Sequence, residues 1–263
     1  IVGSDPEEFP ELPTVDQQNA LTLPQPTLRS MIGQTLFAVS DNESRPVHTG
    51  SLFDVEGDSL TVVSVDGYRL ALRREPVEGY GDDCSFIVPG TALSDLERLC
   101  GDSDERVKMS VGSKHISFTV GSTVILSRRL EGDFLNYKSA IPRNNPIHVV
   151  CSARALLSSI ERVSLIISEK LKSPLRCVFG SGMVSITTKT AIGDAADQCP
   201  IDGDGQELEI GFNNKYLMDA LKAAPAEKLR LEFTSGVAPC VILPTEGEEN
   251  FIYMVLPVRL KAN

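Results

Sequence analysis

The sequence lacks an apolar run of the roughly 18 residues that a membrane-spanning helix requires. Of its 263 residues, 41% are hydrophobic and 23% are charged, and the mean hydropathy is -0.03, which is typical of globular proteins. No signal peptide opens the chain, which starts with Ile1-Val2-Gly3 rather than with Met. We therefore expect a cytoplasmic protein with no membrane association, cut from a longer chain.

A Cys-x-x-Cys pair is also missing. The six cysteines stand far apart at irregular spacings, whereas zinc sites draw on closely spaced ligands. Most of them, such as Cys100 and Cys240, stand in apolar segments, where a reduced cysteine packs as a small hydrophobe. We predict buried thiols in a reducing compartment, with no metal and no cofactor.

Signatures of catalysis are missing as well. The chain contains no Gly-x-Ser-x-Gly elbow, P-loop or Gly-x-Gly-x-x-Gly sequence, and its three histidines (His48, His115 and His148) form no metal-binding motif. Carboxylates gather in turns such as Asp82-Asp83, which is typical of solvated loops. His48 and Asp66 could form an acid–base pair. The alternative function is therefore a hydrolytic or transferase enzyme on a duplicated β-rich fold, with a cleft at the domain junction.

Positive charge is scarce, since 25 Lys and Arg face 36 Asp and Glu, for a net charge of -11. A protein that holds nucleic acid through summed phosphate contacts needs the opposite balance. The composition excludes tight binding of this kind, although it allows weak contact through a local basic lining.

What the sequence does contain is an internal repeat. Apolar residues recur at helical spacing around Leu28 and Met31 and again around Leu156, with 125 residues between Met31 and Leu156. A second pair of helical segments begins at Leu93 and Leu217, which are 124 residues apart. Because the two shifts agree within one residue, we predict two homologous domains, each with two helices.

Short strand-like runs precede each predicted helix, and several alternating or β-branched runs follow it, such as Ser59–Val65 and Met183–Thr188. Gly-rich turns such as Glu56-Gly57-Asp58 separate the runs. A doubly wound fold needs a helix after nearly every strand, whereas strands clearly outnumber helices here. The prediction is an α+β fold of duplicated domains, each with two helices backed by antiparallel sheet.

Two segments are more specific than this pattern. Val65-Asp66-Gly67-Tyr68-Arg69-Leu70 contains an Asp-Gly turn, a strong hairpin signal, and Arg69 with its aliphatic stem is placed to rim an apolar groove. Phe251–Leu260 is an apolar run in which Pro257 must end the strand ladder. A plain hairpin and a buried final strand are the simpler interpretations. They do not explain why one face stays apolar to the end of the run, at Met254, Leu256, Val258 and Leu260, and this favours an exposed binding groove instead.

Together the two segments resemble the bacterial replicative sliding clamp, the beta subunit of DNA polymerase III. In that family three such domains form a protomer and two protomers close a homodimeric ring, with helices lining the hole. The resemblance implies a polymerase processivity factor that encircles duplex DNA and has no chemistry of its own. Such a ring is retained by topology, so weak DNA contact suffices despite the acidic composition.

The resemblance covers the second and third domains of the family. It implies a residual linker at residues 1–17, a middle domain at 18–142 and a C-terminal domain at 143–263. Because the first domain is absent, ring closure loses half of its contact, and we expect this chain alone to be monomeric.

The family also binds partner peptides, typically a Gln followed shortly by Leu-Phe, in a pocket between these two domains. The implied partners are the DNA polymerase III alpha subunit, the clamp loader and other proteins that carry this motif. The implied pocket residues are Val65, Gly67, Tyr68, Arg69, Leu70, Leu135, Ala140, Leu171, Asn213, Tyr216, Val237, Pro239, Met254, Val255, Leu256, Pro257, Val258, Arg259 and Leu260.

Two positions depart from the family pattern, and both bear on peptide preference. His48 stands where the family usually has a leucine, and Ser139 stands where a basic residue is common. For the DNA-facing surface, the helical segments and the loop before Pro46 supply cationic candidates. These are Arg29, Arg45, Arg98, Arg154, Lys215 and Lys222. A peptide-binding module unrelated to DNA is the third hypothesis.

Overall fold

The structure, a computed structural model, describes residues 20–78, 83–168, 173–203, 206–246 and 250–260, together with Gly3, Pro13 and Val15. Nearly all of the predicted linker at residues 1–17 lies outside the described residues, and so does Leu171.

The described residues form sixteen β-strands and five α-helices. The strands are β1 Ala20–Pro24, β2 Gly50–Glu56, β3 Ser59–Val65, β4 Arg69–Pro76, β5 Cys84–Pro89, β6 Arg106–Val111, β7 His115–Val120, β8 Thr123–Arg128, β9 Ile147–Ser152, β10 Leu175–Phe179, β11 Met183–Thr190, β12 Gly193–Gly203, β13 Leu208–Phe212, β14 Lys228–Phe233, β15 Cys240–Pro244 and β16 Phe251–Val255. The helices are α1 Gln25–Gly33, α2 Gly90–Leu99, α3 Tyr137–Ala140, α4 Ala153–Ser164 and α5 Asn214–Ala223. Short 3-10 helices at Leu36–Ala38 and Pro46–Thr49 lie between α1 and β2.

Apart from α3, the elements follow one order four times: a strand, a helix and three more strands. The units begin at β1, β5, β9 and β13, so each half of the chain contains two of them. The predicted α+β fold of duplicated domains is therefore confirmed. The sequence did not predict α3, because a helix of four residues is too short to produce helical periodicity.

The strands form two antiparallel sheets. The smaller has the order β1-β6-β7-β8, and the larger has twelve strands in the order β13-β10-β11-β12-β9-β14-β15-β16-β4-β3-β2-β5. The larger sheet crosses from one half of the chain to the other because β16 pairs with β4, from Phe251 opposite Arg73 to Val255 opposite Arg69. This pairing brings the C-terminal run beside the β3–β4 turn.

Each half has its own apolar core beneath a pair of helices. In the N-terminal half α1 contacts α2, and Met31 and Leu93 are fully buried. In the C-terminal half α4 contacts α5, and Leu156 and Leu217 are buried in the same way. The four residues that marked the repeat in the sequence thus anchor the helices to the sheets.

A third apolar group, here called the junction cluster, joins the two halves. Its buried members include Val65 and Leu70 from the N-terminal half and Met254 from the C-terminal half, and Leu256 packs against them. Burial of such side chains contributes about 25 cal/mol for each Å² removed from water. The junction cluster and the β16–β4 ladder therefore stabilise the same contact between the halves.

Side-chain caps set the start of the helices in the C-terminal half. The Ser152 hydroxyl accepts a hydrogen bond from the backbone N of Ala155 at the start of α4. The Asn213 side chain accepts hydrogen bonds from the backbone N of Lys215 and Tyr216 at the start of α5. These caps satisfy backbone donors that lack partners within the helix.

Among the described residues, no helix combines the length and the apolar character needed to cross a bilayer.

Five of the cysteines are buried: Cys100, Cys151, Cys177, Cys199 and Cys240. Burial raises the pKa of the Cys177 thiol to about 12, so this residue packs as a neutral hydrophobe.

Candidate functional site

The turn between β3 and β4 is shaped by its first two residues. Gly67 has a φ of 91°, in the left-handed region that favours glycine. The Asp66 carboxylate accepts hydrogen bonds from the backbone N of Tyr68 at 2.9 Å and of Arg69 at 3.1 Å. Tyr68 consequently projects outward and is 60% exposed, whereas Arg69 enters the junction between the halves and is 7% exposed.

Arg69 joins the two halves electrostatically. Its Nε lies 2.9 Å from Asp66 Oδ2, and its Nη1 lies 2.5 Å from Oδ2 of Asp219 on α5. Its guanidinium also lies over two rings, 5.4 Å from the centre of Phe37 and 4.6 Å from that of Tyr216. Both carboxylates and both rings compensate the buried cation. Arg69 is thus a fixed part of the junction.

Two tyrosines from different halves stack beside Arg69. The ring centres of Tyr68 and Tyr216 are 5.7 Å apart, with an angle of 19° between the ring planes. Burial is the main cause that raises the pKa of Tyr216, and the carboxylate of Asp66 adds to it. The Tyr216 phenol is therefore neutral at physiological pH. The two rings offer an aromatic surface with hydroxyl groups at its edge.

The C-terminal tail, residues 256–260, bridges the halves on the other side of the turn. The backbone N of Leu256 donates to the Tyr68 carbonyl, and that of Val258 donates to the Gly211 carbonyl on β13, each at 2.9 Å. A Cβ at Gly211 would lie 2.5 Å from the Val258 carbonyl oxygen. Position 211 must therefore be glycine for the tail to lie against β13.

A groove of about 910 Å³, here called the junction groove, opens beside the stacked tyrosines. Its walls come from residues 39–42, the β3–β4 turn, the end of α4 with the segment after it, and α5. Tyr68, Arg69, Asn213 and Tyr216 are the predicted pocket residues that line it. The two halves of the chain thus share one concave surface.

A second concavity of about 500 Å³, here called the outer cavity, lies between β2, β5 and residues 129–138. Of the predicted pocket residues, Leu135 lines this cavity, and it is 40% exposed. At the base of the cavity the Tyr137 hydroxyl donates to Asp54 Oδ2 at 2.7 Å. Burial and this hydrogen bond raise the pKa of Tyr137 to about 12.

The remaining predicted pocket residues are distributed between core and surface. Val65, Leu70, Met254 and Val255 are at most 6% exposed, so they support the surface from below and cannot touch a ligand unless the residues above them move. The expectation that the apolar run stays exposed from Met254 onward is therefore corrected, because pairing with β4 covers its first part. Partly exposed are Ala140, Pro239, Leu256, Pro257, Val258 and Leu260, and Arg259 and Val237 are exposed.

His48 lies between the two concavities. Its carbonyl accepts a hydrogen bond from the backbone N of Ser40, a residue of the junction groove, at 2.9 Å. Its ring meets that of Phe134, a residue of the outer cavity, edge to face at 5.7 Å. Ser139, the other departure from the family pattern, is exposed on α3. Its backbone N donates to Asn136.

Five of the six DNA-facing candidates lie on the paired helices. Three of these already form ion pairs within the chain: Arg29 with Asp102, Arg98 with Asp95 and Lys222 with Glu161. Arg45, Arg154 and Lys215 are exposed, and none of the three forms an ion pair in the described part of the chain. The positive charge available to a phosphate backbone is therefore smaller than the sequence suggests.

Sequence reasoning missed the partners that hold the junction together. Asp219 stands three residues after Tyr216 on α5, a spacing that places both on one face of a helix. That spacing could have indicated that Asp219 lies beside Tyr216. No sequence pattern indicated Phe37, because it lies in a short 3-10 helix without periodicity.

The described residues contain no group of three or more side chains that would hold a metal ion. His48 and Asp66 do not form a working acid–base pair, since both oxygens of Asp66 are taken by Arg69 and by backbone donors. A general base must reach the proton that it abstracts.

Comparison with known proteins identifies this arrangement. The model of the central domain of the DNA polymerase III beta subunit matches residues 22–136, and that of its C-terminal domain matches residues 138–259. A beta sliding clamp from Halalkalibacterium halodurans is 34% identical, and the alignment covers 98% of this chain and 69% of that protein.

Solved structures agree with the sequence matches. A DNA polymerase sliding clamp from Bacillus subtilis superposes with a TM-score of 0.93 at 29% identity, covering 98% of this chain and 69% of that one. A sliding clamp from Pseudomonas aeruginosa bound to griselimycin superposes with a TM-score of 0.91 at 27% identity, covering 97% of this chain and 69% of that one.

Four repeated units, helices in pairs and a sheet that continues between domains define a sliding clamp. The chain belongs to the family of the bacterial DNA polymerase III beta subunit. Its function is that of a polymerase processivity factor and not of an enzyme, and the alternative of a hydrolase or transferase finds no support.

Proposed function

We propose that the surface around the domain junction binds a short extended peptide of partner proteins. This surface runs from the stacked Tyr68 and Tyr216 over the C-terminal tail to Val237 and Leu135. The partners are the DNA polymerase III alpha subunit, the clamp loader and other proteins that carry a Gln followed shortly by Leu-Phe. The predicted pocket residues that are buried belong to this proposal as its supporting layer. Leu171 lies outside the described residues and stays part of the predicted site.

The observation that carries the proposal is the exposure of apolar side chains at this junction. Val237 is 85% exposed and Tyr68 is 60% exposed, although neighbouring apolar residues such as Met254 are buried. Val237 belongs to the β14–β15 turn, and the adjacent Gly236 lies against the Glu209 carbonyl at the start of β13. Exposed apolar side chains grouped around concave surfaces are typical of sites that bind peptides. A structural relative that binds griselimycin supports ligand binding by a member of this family.

We also propose that the complete ring encircles duplex DNA without reading its sequence, with the helix-bearing surface toward the DNA. The domain limits are those predicted from the sequence, 18–142 and 143–263, and the compartment is the cytoplasm. In the ring two longer protomers form a homodimer.

The chain by itself is proposed to be monomeric. Within the chain, β4 of the N-terminal half pairs with β16 of the C-terminal half. In the repeat, β12 corresponds to β4 and β8 corresponds to β16, so a like contact between two copies of the chain would pair β12 with β8. The shift of 124 residues puts Gly193 at the place of Arg69 and Asp95 at the place of Asp219. A contact between copies would therefore lack the ion pair that joins the two halves, so sedimentation at micromolar concentration should report mainly a 28.5 kDa species.

Isothermal titration with a synthetic clamp-motif peptide tests the peptide site. We expect Val237→Asp to weaken binding by about tenfold or more, because a carboxylate on the apolar surface must be desolvated when the peptide binds. The matched control is Val124→Asp on β8, an exposed valine of the other half. Equal affinity of the Val237→Asp and Val124→Asp chains would remove the peptide site from this surface.

A further inference from the structure

The position of His48 sets this chain apart from the apolar wall that the family resemblance implies. Its ring packs against Phe134, and the adjoining Val47 packs against the buried residues of the junction cluster. Leu256 packs against the same cluster. An imidazole therefore stands at the edge of an apolar surface that is proposed to take the Leu and Phe side chains of a partner.

Burial, together with the nearby cation of Arg45, leaves the His48 ring neutral near physiological pH. Burial lowers the pKa of His48, the cation of Arg45 lowers it further, and the carboxylate of Asp66 opposes both more weakly. The weak influence of Asp66 has a structural reason, because its carboxylate is already bound to Arg69. The segment that carries Phe134 adds the carboxyl groups of Glu131 and Asp133, and neither contributes to the shift.

We propose that His48 is a specificity-determining residue of the peptide site, where its neutral imidazole admits an apolar anchor and its protonated form rejects it. The inference rests on the proposed function of this surface. An apolar side chain placed against the ring removes water from it, which disfavours the charged form. Binding and protonation of His48 therefore oppose each other.

The sign of the pH dependence follows from this opposition. A bound apolar anchor desolvates the ring further, so the pKa of His48 is lower in the complex than in the chain alone. Above the pKa that His48 has in the free chain, its ring is neutral both in the free chain and in the complex, so the affinity for the peptide does not depend on pH. Between the two pKa values the affinity falls by about tenfold for each pH unit. Because the pKa of His48 lies below its ordinary value of 6.5, the decrease begins on the acid side of that value.

The test measures peptide affinity between pH 7.5 and about 5 by fluorescence anisotropy, a range that spans the ordinary pKa of histidine. The probe is a labelled clamp-motif peptide with blocked termini and no group that titrates in this range. We expect the affinity of the natural chain to fall on acidification. We expect the affinity of His48→Leu to stay constant, and at pH 7.5 to be higher by about threefold, because no polar ring is desolvated.

Two further variants separate charge from shape and position. His48→Gln keeps a neutral polar side chain without a titrating group, so its affinity should match that of the natural chain at pH 7.5 and stay constant on acidification. His115→Leu removes a histidine on β7 and should retain the full pH dependence. Circular dichroism at each pH establishes that every chain is folded.

The outcomes distinguish the two proposals. A natural chain whose affinity does not change with pH, or a His48→Leu chain that keeps the pH dependence, overturns the role of His48 and leaves the peptide site intact. A probe that binds neither the natural chain nor any variant at any pH overturns the peptide site, and the role of His48 with it.

Discussion

Arg69 shows how one buried cation can join two domains. Its side chain is 9% exposed, and its two carboxylate partners come from the β3–β4 turn and from α5. Exposed ion pairs contribute little to stability, whereas removing one member of a buried pair leaves an uncompensated charge. Arg69 is thus the residue whose loss should affect the contact between the halves most.

We expect Arg69→Met to lower the free energy of unfolding by about 2–4 kcal/mol, because Asp66 and Asp219 would lose their shared cation. Urea denaturation measures the change. The matched control is Arg98→Met, which removes an arginine from an ion pair whose side chains are 76% and 67% exposed. This control should change the stability by less than about 1 kcal/mol. Equal losses in the two variants would mean that Arg69 does not hold the junction.

For individual residues, the sequence predicted which side chains lie near the junction better than it predicted which of them are buried. It marked Arg69 and Tyr68 as neighbours of a turn, and both lie at the junction groove. It did not predict that Arg69 is buried, because its partner Asp219 lies 150 residues away in the sequence. Burial of Leu70 and Met254 escaped prediction for a related reason, since the ladder that covers them joins distant strands.

At the level of elements, periodicity predicted the four long helices because each buries one face against a sheet. The strand runs were also visible, since alternating and β-branched residues mark them. Pairing between β16 and β4 was not, because no local pattern encodes which strand of one domain meets which strand of another. The resemblance to a known family supplied that information instead.

The C-terminal tail is the element on which the proposed peptide site depends most. It covers the edge of β13 through the bond from Val258 to Gly211, and it meets the β3–β4 turn through the bond from Leu256 to Tyr68. Uncovered strand edges tend to pair with other chains. The tail therefore protects the edge of β13, and in the proposed site it also forms part of the surface that binds the partner.

Removal of residues 256–263 should abolish binding of a clamp-motif peptide while far-UV circular dichroism stays unchanged. The truncation deletes apolar surface and two backbone hydrogen bonds, so we expect a loss of about 1–3 kcal/mol in the free energy of unfolding. A chain that lacks only residues 261–263 is the control and should bind normally. If the shorter chain binds the peptide as well as the intact one, the tail is not part of the site.

For the whole molecule, the charge distribution argues for weak and salt-sensitive contact with DNA. The net charge is -11, and three of the six candidate cations are already paired within the chain. A double variant, Arg154→Gln with Lys215→Gln, should lower the affinity for labelled duplex and reduce the salt slope by about 2. Arg29→Gln is the control, because Arg29 is bound to Asp102.

Fluorescence anisotropy at several salt concentrations measures both quantities. Submicromolar affinity of the 263-residue chain for linear duplex at physiological salt would contradict a mechanism in which the ring is retained by topology.

In the sheet that continues from one half into the other, hydrogen exchange at the shared ladder measures how often the two domains separate. The backbone donors that β4 and β16 share are hidden from solvent by each other, so solvent deuterium reaches them when the strands part. Their exchange rates report how often the two domains come apart, independently of motion within either domain. If the proposed ring opens to load onto DNA, this joint can stay closed while a joint between protomers opens. The relative exchange rates at the two joints would then show which one opens.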